Sequence, residues 1–533
     1  MRIILLIFGG PDMDVRNHKV FCKKPQSYWL ASTKSTEYPS LSEDISVDIA
    51  IVGAGMAGIL CAYLLHKENM SIAVLDAGKI LSGTTAHTTA KITSQHGLVY
   101  DKLKNQMGFE LAKQYAEANE EAIKQIKSII DRHHIDCGFS TQSSYIYAEN
   151  EENIQKIEDE IKTASELGIK ASYADEIPFP LIIKAGIRFD NQAQFHPRRF
   201  LLPIAEILSN AGVKIYEKSR IVDLEEGKNI TLTTEHGRKI KAEKVIIASH
   251  YPFYNKPGMY FSRIYTERAY IIAVSAREKF PGGMYINAET PSRSLRGLDT
   301  EEGQLILVVG ENHKTGQGKD LDRHYLELAN FAEKLFTVED IPYRWSTQDC
   351  MTLDGIPYAG YFRQDTHNIL IASGFQKWGM TNSMAAAKII RDLIIEGSSP
   401  WQDVYSPSRI NLIGSAKTFI VENIDVAKHL ISGKISPLPD NVKVEPGEGK
   451  VFENNGERTG AYRDENGRLY LVNTTCTHMG CELNWNSAEK SWDCPCHGSR
   501  FTVSGDIIDG PAVSPLSSDN DVNTAEKIIK DEF

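Results

Sequence analysis

"VDIAIVGAGMAGILCAYLLHKENMSIAVLDAG", residues 47–78, decides the first domain of this chain. Residues 47–52 are a short apolar run, as a parallel strand buried on both faces requires. Gly53, Gly55 and Gly58 follow at once, and residues 56–67 carry helical patterning. A second apolar run, 72–75, ends in Asp76. Gly53 permits a tight bend, Gly55 lets the backbone approach a pyrophosphate, and Gly58 lets helix and strand pack closely. The helix N-terminus then faces negative charge, and Asp76 is placed to accept hydrogen bonds from an adenosine ribose. Three glycines alone are a weak signal. Strand, turn, helix, second strand and terminal acid in that order read as a dinucleotide site. Spacing leaves NAD and FAD both open.

At 533 residues the chain is too long for one core, and about three domains are expected. An apolar fraction of 41% and a charged fraction of 24% are those of a soluble globular protein. The net charge of −11 argues against nucleic acid or an anionic membrane as the main partner. No stretch approaches the roughly 18 apolar residues of a membrane span, so no transmembrane segment is expected. The apolar run 3–8 is short for a secretory signal and no small-residue cleavage site follows it. Met13 is an alternative start, and the expected location is cytoplasmic. Cys22, Cys61, Cys137 and Cys350 are scattered, as reduced and mostly buried thiols would be. Residues 14–46 are polar with Pro and Ser clusters, and residues 1–46 read as a leader lying over the surface.

"LSGTTAHTTAKITSQH" (81–96) resembles the Ser/Thr/Gly-rich segment after the second strand in the glycine/D-amino-acid oxidase (DAO) family of flavoproteins. "NILIASGFQKWGMTNSMAAAKIIRDLI" (368–394) resembles that family's closing flavin motif, with Gly374, Gly379 and Met380 at the turn. Between them, residues 194–226 and 243–250 match its layout. The resemblance covers about residues 47–400 and implies FAD, held by Gly53, Gly55, Gly58, Asp76, Thr84, His87, Gly374, Gly379 and Met380. It also implies a second, antiparallel-sheet domain with substrate contacts, and places the flavoprotein unit at 47–408. His87 sits where some amine-oxidising members attach flavin covalently; a polar loop residue near the cofactor is the other reading. Arg268 suits a substrate carboxylate or an ordinary ion pair.

Residues 409–435 show helical spacing at Phe419, Ile420, Ile424, Ala427 and Ile431, and read as a connector packed on one neighbour. Composition then shifts to "SPLPDNVKVEPGEGK", marking a boundary near 436. Short strands follow, with Glu465, Asn466 and Gly467 at a hairpin turn. "CTHMGCELNWNSAEKSWDCPCHGS" (476–499) holds four of the eight cysteines. Cys476-x-His478 and Cys494-x2-His497 could bind zinc tetrahedrally, which leaves Cys481 and Cys496 without a role. The segment resembles the Rieske signature residue for residue. That resemblance implies a [2Fe–2S] cluster with Cys476 and Cys494 on one iron and His478 and His497 on the other. It further implies a Cys481–Cys496 disulfide of the cytochrome bc type, a cluster hydrogen bond from Ser499, and a cover loop at Gly510 and Pro511. Phe501 stands where bc-type proteins have a tyrosine donor, so a potential below the quinol-oxidising end of the range is expected.

The expected fold class is α/β + β. It comprises a Rossmann-like FAD-binding domain with an antiparallel-sheet substrate domain, then a small all-β Rieske domain at 436–533. Flavin accepts two electrons and the cluster carries one at a time. The two together suggest an FAD-dependent oxidoreductase that oxidises an amine or amino acid and passes single electrons through its cluster to an external acceptor. The alternative is a reductase, carrier or sensor that takes electrons at the cluster from a protein partner. A Rieske oxygenase would need a 2-His-1-carboxylate iron site. His313 and His324 near Asp320 and Asp322 lack that spacing. No residue stands out as a general base.

Overall fold

The computed structural model describes residues 18–318, 320–409, 412–454, 456–518 and 528–529. The apolar run 3–8 and Met13 lie outside the described residues.

Strand Ile45–Val52 has no polar face, with residues 49–51 wholly buried, and it becomes the middle of a sheet covered on both sides. It pairs in parallel with Ile72–Leu75 on one side and Lys239–Ile247 on the other. The path of this eight-stranded sheet continues to Lys214–Tyr216 at one edge and to Ile369–Ser373 and Tyr358–Tyr361 at the other. Helix Met56–Leu65 is buried all round, which its small and aliphatic residues allow. It packs between strand Ile45–Val52 and helix Gly379–Ile395. A second, nine-stranded sheet runs from Val338–Thr352 through Ile264–Ala276, Gly303–Lys314, Arg293–Thr300 and Met284–Asn287 to Ser140–Ala148, Ala185–Gln194 and Lys91–Ile92. All its pairings are antiparallel except that of Met284–Asn287 with Ser140–Ala148. The large cavity lies between the two sheets.

Residues 18–44 run largely over the surface but are pinned at Val20, Ser27, Tyr28, Trp29 and Leu41, which are buried. Trp29 is fully buried, its indole Nε1 donates to Thr88 O at 2.7 Å, and Ser27 Oγ donates to Ala86 O. The polar composition hid two large aromatics, Tyr28 and Trp29, which dominate the energetics of a short segment.

The connector is a helix, Leu412–Ile435, and it touches two neighbours rather than one. Glu422 and Asp425 pair with Lys314 of the nine-stranded sheet, while Val426 and Leu430 pack on the C-terminal domain. The stripe at Phe419, Ile420, Ile424, Ala427 and Ile431 faces outward and is exposed. Periodicity located the helix but chose the wrong face, because the inner contacts are half ionic.

The last domain contains a three-stranded sheet (Gly449–Asn454, Glu457–Arg463, Leu469–Asn473) and a four-stranded one (Asn484–Asn486, Ser491–Asp493, Arg500–Phe501, Ile507–Asp509). Gly467, with φ of +83°, makes the hairpin turn. Two glycines bring this domain hard against the first. A Cβ on Gly316 would lie 2.5 Å from Pro495 N, and one on Gly498 would lie 2.0 Å from Thr266 Oγ1.

Candidate active site and metal centre

Gly53 has φ of +105°, a conformation that L side chains rarely adopt, and it turns the chain directly from strand to helix. A Cβ on Gly58 would meet Gly53 O at 1.9 Å, so the helix rests on the turn itself. Asp76 ends the neighbouring strand. Its carboxylate accepts from Ala54 N and Gly78 N, each at 2.8 Å. Burial raises its pKa, against the pull of those two amides. Thr85, one residue past Thr84, accepts from Met56 N at 3.0 Å and so satisfies one free amide of the first helical turn.

These elements open onto one cavity of about 860 Å³. Gly53, Gly55, Asp76, Thr84, His87, Gly379 and Met380 all line it. Gly58 and Gly374 do not. They act on the backbone, and a Cβ on Gly374, whose φ is +72°, would lie 2.4 Å from Thr352 Cγ2. His87 Nδ1 donates to Gly83 O at 2.8 Å, which leaves Nε2 with the lone pair while burial lowers the ring's pKa. The His87 backbone carbonyl accepts from Trp345 Nε1 at 3.0 Å.

Toward the nine-stranded sheet the cavity wall changes character. Lys91 Nζ donates to Tyr285 O at 3.2 Å and to Ser294 Oγ, both uncharged partners. Burial, with Arg296 nearby, brings its pKa down to about 7. Arg268 is buried beside Ser346, with Glu489 of the last domain at 3.5 Å, so the ion-pair reading describes it. Burial would raise the Glu489 pKa, but Arg268 and Arg500 hold it below its ordinary value. The last domain closes the cavity with Glu489, Arg500 and residues 507–513. Lys91, Glu489 and Thr85 were missed by sequence reasoning. Only Lys91 left a signal there, as the single cation among the small polar residues of 81–96.

On the far side of that wall stand Cys476, His478, Cys494 and His497. Cys476, Cys494 and His497 are buried, and the two imidazoles meet edge to face at 5.0 Å between centroids. Nδ1 of His478 and Nδ1 of His497 are both buried without a hydrogen-bond partner. Buried polar atoms are rarely left so, and a pair of imidazoles beside a pair of thiols in contact offers the donor types of a metal site. The Cys494 thiol, with help from His478 N–H and Ser499, holds the Cys476 pKa down. Ser499 Oγ itself accepts from Ala512 N at 3.0 Å, which ties the Gly510 and Pro511 segment to the site. Cys481 and Cys496 form a disulfide, which takes these two sulfurs out of the sulfur group they make with Cys494. Zinc on the Cys476, His478, Cys494 and His497 set would leave that cross-link without a reason.

The imidazole edge faces the first domain. His478 Nε2 lies 3.2 Å from Asn255 Oδ1, and Asn255 Nδ2 is committed to Pro252 O and Phe253 O, which fixes the amide's orientation. Phe261 stands edge-on to His497, and Gln348 Nε2 donates to Gly498 O at 2.9 Å. The pair His313 and His324 stack on each other at 4.8 Å, but three of their four ring nitrogens are engaged, by Tyr270, Lys314 O and Glu311. They form no facial triad with Asp320 or Asp322, and among the described residues the one group of ligand atoms close enough together for a single ion is that of Cys481, Cys494 and Cys496.

The comparisons agree with this geometry. The FAD dependent oxidoreductase (DAO) family matches residues 48–393, and the Rieske [2Fe-2S] domain matches residues 436–523. A Rieske 2Fe-2S iron-sulfur protein of Bacillus subtilis (strain 168), YhfW, is 43% identical over 493 residues, covering 92% of this chain and 97% of that protein. Gamma-glutamylputrescine oxidoreductase of Escherichia coli (strain K12) is 22% identical over 388 residues, covering 69% of this chain and 88% of that enzyme. Among solved structures, glycine oxidase from Geobacillus kaustophilus superposes with a TM-score of 0.57 at 17% identity, over 68% of this chain and 99% of its own, a likeness of fold. This chain thus belongs to the FAD dependent oxidoreductase (DAO) family, and residues 436–523 are a Rieske [2Fe-2S] domain fused to it, so FAD and a [2Fe–2S] cluster are its cofactors.

Proposed function

We propose that this oxidoreductase oxidises an amine or amino acid and passes the electrons, one at a time, through its own cluster to an external acceptor. One observation carries this reading: the flavin cavity and the cluster domain share a wall, residues 507–513. When bound, FAD supplies hydride acceptance and the cluster supplies one-electron transfer. Gly53, Gly55, Asp76, Thr84, Gly379 and Met380 would hold the first. Cys476, His478, Cys494 and His497 would hold the second, with Ser499 beside Cys476. The name of the Escherichia coli relative and the amino-acid oxidase fold both favour a C–N substrate.

The chain's residues then have separable tasks. Arg268, Ser346 and Glu489 order the polar end of the cavity, and the last domain excludes water from it. Lys91 is the proton acceptor we assign. A substrate amine reaches the cavity mostly as ammonium, whose nitrogen has no lone pair to support C–H cleavage. A buried Lys91 with a pKa of about 7 takes that proton at Nζ. Below that pKa Lys91 is itself charged, so flavin reduction by substrate should rise with pH through about 7. Lys91→Met should remove that limb and slow reduction by about a hundredfold at neutral pH. Stopped-flow absorbance across pH reads both effects, and an unchanged profile would exclude Lys91.

The reading as a whole is tested by adding amines and amino acids anaerobically while absorbance and electron paramagnetic resonance are followed. Bleaching of the flavin followed by growth of a Rieske signal is the expected result. A Rieske signal that only dithionite or a reduced protein partner produces would reverse the direction, with electrons entering at the cluster.

A further inference from the structure

The connector helix Leu412–Ile435 has two unlike faces. From Glu422 to Leu430 its inner face is engaged. Glu422 and Asp425 hold Lys314 at 2.7 and 2.9 Å, Asn423 Nδ2 donates to Ser262 O at 3.1 Å, and Val426 and Leu430 pack on the cluster domain. Its outer face is apolar and uncovered, with Ile420 at 57%, Ile424 at 63%, Ile431 at 59% and Ile435 at 74% exposure. A row of isoleucines along one helix is more than the scattered apolar exposure of an ordinary surface, and it marks an interaction face.

Charge identifies the occupant. Ile420, Ile424, Ala427 and Ile431 follow the four-three-four spacing of a helix-pairing seam, so a second copy of the chain is the first partner to weigh. Lys417 precedes that seam by three residues and Lys434 follows it by three, on the same stripe, and both are exposed. An antiparallel pair in register would set Lys417 of one copy against Lys434 of the other, and a parallel pair would set each lysine against itself. The helix's own acids, Glu422 and Asp425, are spent on Lys314, and Glu482 of the cluster domain, which feels the charge of Lys434, is paired with Arg458. An apolar stripe with a lysine at each end, and Lys428 exposed beside it, fits a flat negative surface instead.

We propose that this face docks on an anionic lipid bilayer, with the isoleucines at the acyl boundary and the three lysines reaching lipid phosphates. The chain's net charge of −11 does not oppose this, because screening over about 10 Å lets the bilayer sense the local lysines rather than the remote sum. The helix lies in the plane of the interface and does not cross it. No helix among the described residues is long and apolar enough to span a membrane.

The test is co-sedimentation of the full-length holoprotein with vesicles of phosphatidylcholine alone, or of equal parts phosphatidylcholine and phosphatidylglycerol. About tenfold more protein should pellet with the anionic vesicles at low salt, and the preference should fade as salt rises. Ile424→Asp combined with Ile431→Asp should abolish binding, and Lys417→Glu with Lys434→Glu should abolish the anionic preference. Unchanged flavin and cluster absorbance in both variants shows that the fold is intact. Wild-type protein that stays in the supernatant with both vesicles overturns the proposal. So does light scattering that finds a dimer which the double aspartate variant converts to a monomer, since the face would then join two copies.

Discussion

Gly53→Ala should yield a chain that purifies without flavin while the cluster domain keeps its spectrum. The added Cβ would lie 2.4 Å from Ala248 O, 2.7 Å from Ala248 C and 2.9 Å from Ser249 Cα. All three are backbone atoms, so no side chain can turn aside. The turn cannot retreat either, because Ala248 N donates to Val52 O at 2.8 Å and the two strands run paired up to that point. A φ of +105° adds strain for any L residue. Strain and overpacking of about 1–3 kcal/mol each make ~3 kcal/mol a modest total, or roughly a hundredfold in flavin affinity. Gly212→Ala is the matched control, since Gly212 also has a positive φ, +89°, but its Cβ would meet nothing within 4 Å and it does not line the cavity. Flavin-to-protein absorbance ratios after dialysis report both. Equal retention by the two variants would mean that the 53–58 turn does not cradle the cofactor.

His478→Ala should show the opposite pattern, with flavin retained and the Rieske signal absent. The substitution removes one of the two buried, partnerless Nδ1 atoms, and no other imidazole or thiol can take its place while Cys481 and Cys496 stay joined. Iron with one missing ligand exchanges or leaves, so cluster content should fall to background rather than by a fraction. Electron paramagnetic resonance, with iron and acid-labile sulfide analysis, measures this directly. The flavin domain should be unaffected, because Asn255 Oδ1 loses only a contact at 3.2 Å that water can replace. A surviving signal would overturn the ligand set. Zinc in place of iron and sulfide in the wild type would overturn the Rieske reading of this chain.

What could be read in the sequence was whatever depends on short-range order. The 53–58 turn, the flanking strands and the cysteine–histidine spacings are local, and each carries its chemistry in a few adjacent residues. Helix Met56–Leu65 and strand Ile72–Leu75 fall where the apolar patterning puts them. What sequence could not supply was the meeting of distant segments. Lys91 and Ser294 are far apart in the chain, and their contact depends on both sheets closing on one cavity. Glu489 sits in a polar turn with nothing to mark it, and its significance arises only because the last domain presses on Arg268. The segment 18–44 misled in another way. Average polarity said surface, while Tyr28 and Trp29 anchor it in the core. On the connector helix, ionic contacts to Lys314 outweighed the apolar stripe in choosing the inner face.

The cavity wall at 507–513 has a thermodynamic consequence. A small molecule that fills the space between the dinucleotide turn and that wall touches both domains at once, and it meets both only when they are together. By reciprocity, whatever the docked arrangement adds to that molecule's affinity, the molecule adds to the stability of the docked arrangement. An occupied cavity therefore clamps the cluster domain in place, and emptying it loosens the clamp. On the function proposed above, with both redox centres on one chain, the step between them would be unimolecular and keep its rate on dilution, whereas the outward step to an acceptor would slow in proportion.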